Sequence, residues 1–194
     1  MTIRTANLRF TYGSPATEVL TLEDVKNHLK IVAEDTDYDD LIPLWIKAAR
    51  ERAENYLRML LVAREVVAYA DTFVSEYELN LFPINSITHI KYYDGDNVLT
   101  TLSTDDYISD LVSDIPRIEI TDVPQVYDKY NSVVITLNVG YNTVAAVPQQ
   151  IKQAMLILCA HFDQNREILS EKQLYEVPMT AKWLMDDFRK FIFK

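Results

Sequence analysis

One segment near the C-terminal end, residues 148–167, limits what this chain can fold into more than any other. It reads PQQIKQAMLILCAHFDQNRE, and its proline suits the first turn of a helix because proline lacks an N–H and has a fixed φ. Apolar residues recur at helical spacing along one side, at Ile151, Ala154, Met155, Leu158 and Phe162. The opposite side is also apolar, at Leu156, Ile157, Cys159 and Ala160. A domain of this size usually buries one side of a helix, so Leu156, Ile157 and Ala160 are predicted to contact another surface, such as a neighbouring copy.

The composition is that of an ordinary globular protein and argues against several classes. With 194 residues, the chain is long enough to bury a core as one domain with extensions. No segment approaches the roughly 20 uninterrupted apolar residues of a membrane span, and the N-terminus lacks a signal-peptide core, so no membrane partner is predicted. The single cysteine indicates a reducing compartment. A net charge of −10 argues against specific binding of nucleic acid, which needs a basic face.

Changes in the hydrophobic period predict three blocks along the chain. An extended N-terminal arm covers residues 1–20, one domain covers residues 21–168, and a linker with an amphipathic C-terminal helix covers residues 169–194. Within the domain, the predicted elements are helices over 21–30, 39–60 and 148–167 and a β block over 62–141. The fold class is therefore α+β: a helical body of two N-terminal helices, one long helix and one terminal helix, with an inserted antiparallel β block.

Local signals support these boundaries. Thr21, with Asp24 three residues later, predicts a capped helix start. The turn Asp94-Gly95-Asp96-Asn97 predicts a hairpin between two strands, whereas 103–107 and 122–130 are predicted to be loops. The strand candidates are Glu65–Phe73, Tyr77–Phe82, Ile87–Tyr93, Val98–Leu102, Arg117–Thr121 and Ser132–Val139.

The sequence offers no motif for catalysis or for a cofactor. Its glycines, Gly13, Gly95 and Gly140, are too far apart for a loop that holds phosphate, and no serine nucleophile motif is present. Cys159 lies in the most apolar helix and is interpreted as an inert buried thiol. No catalytic residue and no cofactor are therefore predicted. A pair of carboxylates for hydrolysis stays open, because such groups meet in space and not in sequence.

The acidic run before the second helix invites a calcium interpretation. Asp35, Asp37 and Asp39 have the spacing of calcium ligands, but such a loop needs glycine at its sixth position and glutamate at its twelfth, where this chain has Asp40 and Ile46. The run is instead interpreted as a solvated helix N-terminus. The three histidines, His28, His89 and His161, lie in separate elements, so no metal site is predicted.

The C-terminal helix is rich in aromatic residues, which are enriched at protein interfaces. Four of them are predicted interface residues: Trp183, Phe188, Phe191 and Phe193. A short amphipathic helix that follows a linker docks either on its own core or on a partner, and the sequence leaves both alternatives open.

The order and spacing of these segments resemble the tailed-phage head–tail connector (adaptor) family, the small "DNA packaging" or head completion proteins. The similar segments are TLEDVKNHLKI, DDLIPLWIKAARERAENYL, the β block and VPQQIKQAMLILCAHFDQNRE, about residues 20 to 168. Residues 21–168 would then be the connector domain. The residues that carry the resemblance are Leu22, Lys26, Leu29, Asp39, Asp40, Pro148, Ala154, His161, Asn165, Arg166 and Glu167.

The resemblance implies a structural protein of the virion neck and not an enzyme. Its copies would form a ring, usually a dodecamer, that assembles in the host cytoplasm and binds the portal protein and the stopper or tail proteins. DNA would pass through the lumen without specific binding, and residues 183–194 would face the portal. His161, Asn165 and Arg166 would have structural roles, with His161 hydrogen-bonded near the first helices and Arg166 paired with Glu51 or Glu54. The alternatives are a stopper or tail-completion protein and a small carboxylate-using hydrolase.

Overall fold

A computed structural model of the chain describes residues 8–165 and 178–190. It divides the chain into two compact units: a β unit, Met1–Ala16 with Ala63–Gly140, and a helical unit, Thr17–Val62 with Tyr141–Lys194. The predicted α+β class is confirmed, because the described residues contain four α-helices and two antiparallel sheets.

The β unit contains a five-stranded sheet in the order β1-β2-β8-β4-β5 and a three-stranded sheet in the order β3-β7-β6. The strands are β1 (Arg9–Tyr12), β2 (Arg64–Ala70), β3 (Glu76–Glu78), β4 (Ile84–Tyr93), β5 (Leu99–Thr101), β6 (Tyr107–Asp110), β7 (Arg117–Ile120) and β8 (Val133–Val139). Central strand β8 is buried along most of its length, as its run of valine, isoleucine and leucine requires. The predicted hairpin at Asp94 joins β4 and β5.

The described part of the predicted N-terminal arm contributes a strand. Residues of β1 pair in antiparallel register with β2, from Arg9 opposite Tyr69 to Tyr12 opposite Val66. Arg9 also binds Asp71 (2.5 Å) and donates to Asn131 Oδ1 (2.6 Å) beyond the strand. Sequence periodicity cannot detect such a strand, because only four residues take part in it.

Two details of the β block differ from the sequence interpretation. Strand β6 begins at Tyr107, the last residue of a predicted loop, and it is not predicted because its sequence YISD has no strand pattern. It is a strand because all four of its residues pair with β7. The strand predicted over Tyr77–Phe82 ends at Glu78. There the chain bends, since Asn80 has a positive φ of 45°.

The helical unit contains α1 (Leu22–Leu29), α2 (Ile42–Leu57), α3 (Gln149–Gln164) and α4 (Met179–Asp186). The predicted cap at Thr21 is a complete capping box, with Asp24 N–H donating to Thr21 Oγ1 (3.1 Å) and Thr21 N–H donating to Asp24 Oδ2 (2.8 Å). α2 is shorter than the predicted 39–60. It ends at Leu57 because Arg58 takes the left-handed conformation (φ 57°), which stops the helix.

The core of the helical unit confirms most of the apolar stripe on α3. Ile151, Ala154, Met155 and Leu158 are buried, but Phe162 is only half-buried. The assignment of Cys159 to the outer side is wrong: it is fully buried because it follows Met155 by four residues and shares its face.

Candidate assembly surfaces

The cysteine and histidine side chains considered for catalysis or metal binding have ordinary structural surroundings. Burial raises the pKa of the Cys159 thiol to about 12, so this group stays protonated and unreactive near neutral pH. His89 Nε2 lies 3.1 Å from Thr136 Oγ1 on the neighbouring strand. Within residues 8–165 and 178–190, no three His, Cys, Asp or Glu side chains form a group that could hold a metal, and no helix is long and apolar enough to span a membrane.

The acidic run with calcium-ligand spacing, residues 35–40, is bound by a lysine side chain. Lys26 is buried on α1, and its ammonium group donates to the carbonyl oxygens of Ala33 (3.3 Å) and Asp35 (2.6 Å). It also pairs with the Asp39 carboxylate at 2.5 Å. The cation in this loop is therefore supplied by the protein itself, which the sequence interpretation missed because Lys26 lies in a separate helix.

A buried ion network fixes α2 within the helical unit. The Arg50 side chain is only 3% exposed and donates to Glu18 Oε2 (2.7 Å) and Glu54 Oε2 (3.0 Å). Glu54 also accepts from the Leu61 N–H at 2.9 Å. Burial lowers the pKa of Arg50, but the Glu18 hydrogen bond and the neighbouring carboxylates outweigh this and raise it, so the guanidinium stays charged. Glu18 and Leu61 lie next to the residues where the chain enters and leaves the unit.

The outer side of α3 is only partly covered by its own unit. Leu156, Ile157 and Ala160 are half-buried, although the opposite side of the helix is fully buried. The residues beside them are the exposed Gln153 and Gln164 and the half-buried, charged Lys152 and Asp163. The apolar residues of this side therefore lie between charged and uncharged polar residues at its margins.

The C-terminal helix docks on its own unit with one face only. Ala181 and Met185 are buried where α4 packs on α3 and α2. Trp183 is 73% exposed and Met179, one turn earlier, is 84% exposed, so the two form an apolar patch. Of the other predicted interface residues, Phe188 is half-buried, and Phe191 and Phe193 lie outside the described residues.

Polar contacts hold the end of α4 against the end of α2. The Tyr56 hydroxyl donates to the Asp186 carboxylate, and this hydrogen bond raises the pKa of Tyr56. The Lys190 N–H donates to the Leu57 carbonyl at 3.0 Å, and Arg189 lies 5.1 Å from the centre of the Tyr56 ring. The residues that follow Trp183 are therefore held against the end of α2.

The residues given structural roles lie at the end of α3. Asn165 donates through its side chain to the His161 carbonyl (2.9 Å) and lies 3.2 Å from His161 Nδ1. The partner found for His161 is thus its own helix end rather than the first helices. Arg166 lies outside the described residues, and its proposed partner Glu54 is held by Arg50.

Two further surfaces are not evident from the sequence. The first, called here the basic helix face, is the exposed side of α2 and consists of Leu44, Lys47, Ala48, Glu51, Arg52, Asn55 and Arg58. Leu44 is 62% exposed at one end of it. Helical spacing of exposed cations could have indicated this face, but Lys47, Arg52 and Arg58 read as ordinary solvated residues.

The second, called here the acidic sheet face, is the outer face of the three-stranded sheet: Glu76, Glu78, Ile108, Asp110, Arg117 and Glu119. On β3 and β7, the residues that alternate with those of the face, Tyr77, Ile118 and Ile120, are buried, which fixes the orientation of the face. A hydrogen bond from the Ser113 hydroxyl, with backbone donors from Ser113 and Val112, lowers the pKa of Asp110. The face therefore remains anionic at neutral pH.

Comparison with known proteins supports the resemblance drawn from the sequence. Residues 19–92 match the family model described as "Phage gp6-like head-tail connector protein", which confirms that resemblance for α1, α2, β2, β3 and most of β4. No curated protein matches the chain.

Solved structures with the same fold come from gene transfer agent (GTA) particles. A chain from the virion of the native particle is 19% identical, with a TM-score of 0.77 over 97% of this chain and 97% of that one. A chain from the neck of the empty particle, computed with C6 symmetry, is 17% identical, with a TM-score of 0.75 over 96% and 97%. A chain from the neck of the native particle, computed with C12 symmetry, is 19% identical, with a TM-score of 0.69 over 95% and 97%.

Proposed function

We propose that this chain is a structural adaptor of a virion neck, in which a ring of about twelve copies joins the portal to the tail and extends the DNA channel. The observation that carries the proposal is the similarity, over nearly the whole chain, to proteins in particle necks computed with C6 and C12 symmetry. The family match over residues 19–92 supports the same role.

The half-exposed side of α3 supports ring formation. Leu156, Ile157 and Ala160 would become buried against the neighbouring copy, which explains an apolar helix with only one side in the core of its own unit. The exposed patch of Trp183 and Met179 would contact the portal. We propose a structural and not a catalytic role, because the proteins of similar structure are parts of particle necks.

The net charge of −10 per copy suits a channel through which DNA slides. A negative lumen repels the phosphate backbone and so prevents DNA from binding as it passes. Assembly would take place in the host cytoplasm, and the stopper or tail proteins would bind the ring after the portal does.

Light scattering behind a sizing column tests the proposal, first on the chain alone and then on the chain mixed with the portal of the same virus. A species near twelve times 22.5 kDa, alone or added to the portal mass, is expected. The variant Leu156→Asp with Ile157→Asp should lose this species, whereas Asn27→Asp, at an exposed position of α1, should keep it. A wild-type chain that stays monomeric with the portal present would contradict the proposal.

A further inference from the structure

We propose that the acidic sheet face of one copy binds the basic helix face of the next copy around the ring. This inference rests on the proposed function, since it names a second contact by which the ring closes. It is carried by the charges, the exposure and the shape of the two faces.

The acidic sheet face holds more negative charge than its own residues neutralise. Arg117 lies 3.7 Å from Glu76 and 3.9 Å from Asp110, so its charge is shared between these two carboxylates. Glu78 and Glu119 have no ion-pair partner within the part of the chain that the structure describes. Glu119 also stands directly opposite Glu76 on the neighbouring strand. Like charges in this position destabilise a sheet, and a cation from outside would relieve the repulsion.

The face is also shaped to receive a side chain. Five of its residues line a depression in the surface: Glu76, Ile108, Asp110, Arg117 and Glu119. Ile108 is 62% exposed at its edge, so apolar and anionic groups lie side by side. An arginine or lysine suits such a site, because its stem is apolar and its head is cationic.

The basic helix face has the complementary properties. Lys47, Arg52 and Arg58 are exposed on one side of α2, and none of them has an ion-pair partner among the described residues. The face has one carboxylate, Glu51, against these three cations, so its net charge stays positive. The exposed Leu44 supplies an apolar group that can pack beside Ile108.

Ring symmetry requires two such different surfaces. In a closed ring of more than two copies, each contact joins one surface of a copy to a different surface of the next. A chain that carries one anionic and one cationic face, each with an exposed apolar residue, satisfies this condition and disfavours contacts between identical faces.

Charge reversal tests the pairing. One chain carries Lys47→Glu with Arg52→Glu, a second carries Glu78→Lys with Glu119→Lys, and Lys30→Glu with Lys91→Glu serves as the control elsewhere in the chain. Each reversed chain alone should lose at least about tenfold in ring association, because like charges then face each other at every contact. An equal mixture of the two reversed chains should recover the ring, since alternate copies again present opposite charges. Circular dichroism and thermal unfolding show that each variant is folded.

The outcomes distinguish failure of this pairing from failure of the ring itself. Recovery of the ring mass by the mixture alone supports the pairing of the two faces. Reversed chains that assemble as well as wild type overturn this inference and leave the proposed function standing. Loss of DNA binding in Lys47→Glu with Arg52→Glu, without any change in assembly, also overturns it and assigns these cations to DNA. A wild-type chain that forms no ring even on the portal overturns the proposed function and this inference together.

Discussion

In the helical unit the charged side chains with the most contacts are buried, whereas in the β unit they stand on the surface. Arg50 and Lys26 are nearly inaccessible and bind carboxylates and carbonyl oxygens that fix the ends of α2 and the loop before it. The carboxylates of the acidic sheet face are exposed or half-buried. The buried charges of the helical unit are therefore satisfied within that unit, whereas the acidic sheet face presents carboxylates that a partner can bind.

Removal of Arg50 tests most strongly whether buried charge stabilises the helical unit. Arg50→Ala leaves the Glu54 carboxylate buried without its cation, so the free energy of unfolding of the helical unit should fall by about 3–5 kcal/mol. Denaturant unfolding followed by circular dichroism measures the loss. The exposed Arg52→Ala on the same helix is the control and should change it by less than about 0.5 kcal/mol. Equal losses for the two variants would show that the ion network does not stabilise the unit.

Removing Lys26 should have the next largest effect. Lys26→Met keeps the length of the side chain but leaves the Ala33 and Asp35 carbonyls and the Asp39 carboxylate without their donor. We expect a loss of about 1.5–3 kcal/mol in unfolding free energy. Added calcium should not raise the melting temperature of the wild-type chain, because the lysine occupies the loop. A calcium-dependent rise would restore the calcium interpretation.

A smaller effect is expected at the capping box of α1. Thr21→Ala removes the oxygen that accepts from the Asp24 N–H and should cost about 1 kcal/mol. Thr21→Ser keeps the oxygen and should cost much less, which separates the cap from the loss of a methyl group. A full loss in the serine variant would mean that the hydrogen bond contributes little.

Structural features that depend on residues close together in the sequence are predicted best. The capping box and the hairpin at Asp94 depend on residues within a few positions of each other, and both are confirmed. The Arg50–Glu18 pair is separated by 32 positions, so no local pattern reveals it. Strand β6 escapes prediction for the same reason, since its pairing with β7 and not its own composition makes it a strand.

The candidate surfaces could be predicted only in part. The excess of apolar residues on α3 predicts an interface side whose residues Leu156, Ile157 and Ala160 are half-buried, but it misplaces Cys159 on that side because residues at its margin fit either face. The acidic sheet face cannot be recognised in the same way, because Glu76, Asp110 and Glu119 come from three separate strands. Only strand register brings them together.

The smallest expected effect is a loss of stability at low pH, where carboxylates with lowered pKa values become protonated. The Arg9 hydrogen bond lowers the pKa of Asp71, and the Val98 N–H hydrogen bond does the same for Asp94; each group has an ordinary value of 3.8. Lowered carboxyl pKa values contribute stability above about pH 3.8, and this contribution is lost as the pH falls through the folded values. Arg9→Ala should raise the pKa of Asp71 and leave that of Asp94 unchanged in an NMR titration. A titration of Asp71 that does not respond would contradict the Arg9 contact.

We propose above that copies of this chain form a ring at the portal through the outer side of α3. Cryo-electron microscopy of the chain bound to its portal tests it most directly. We expect a closed ring in which Leu156, Ile157 and Ala160 are buried against the neighbouring copy. A bound chain with these residues facing solvent, or with no contact between copies, would contradict it.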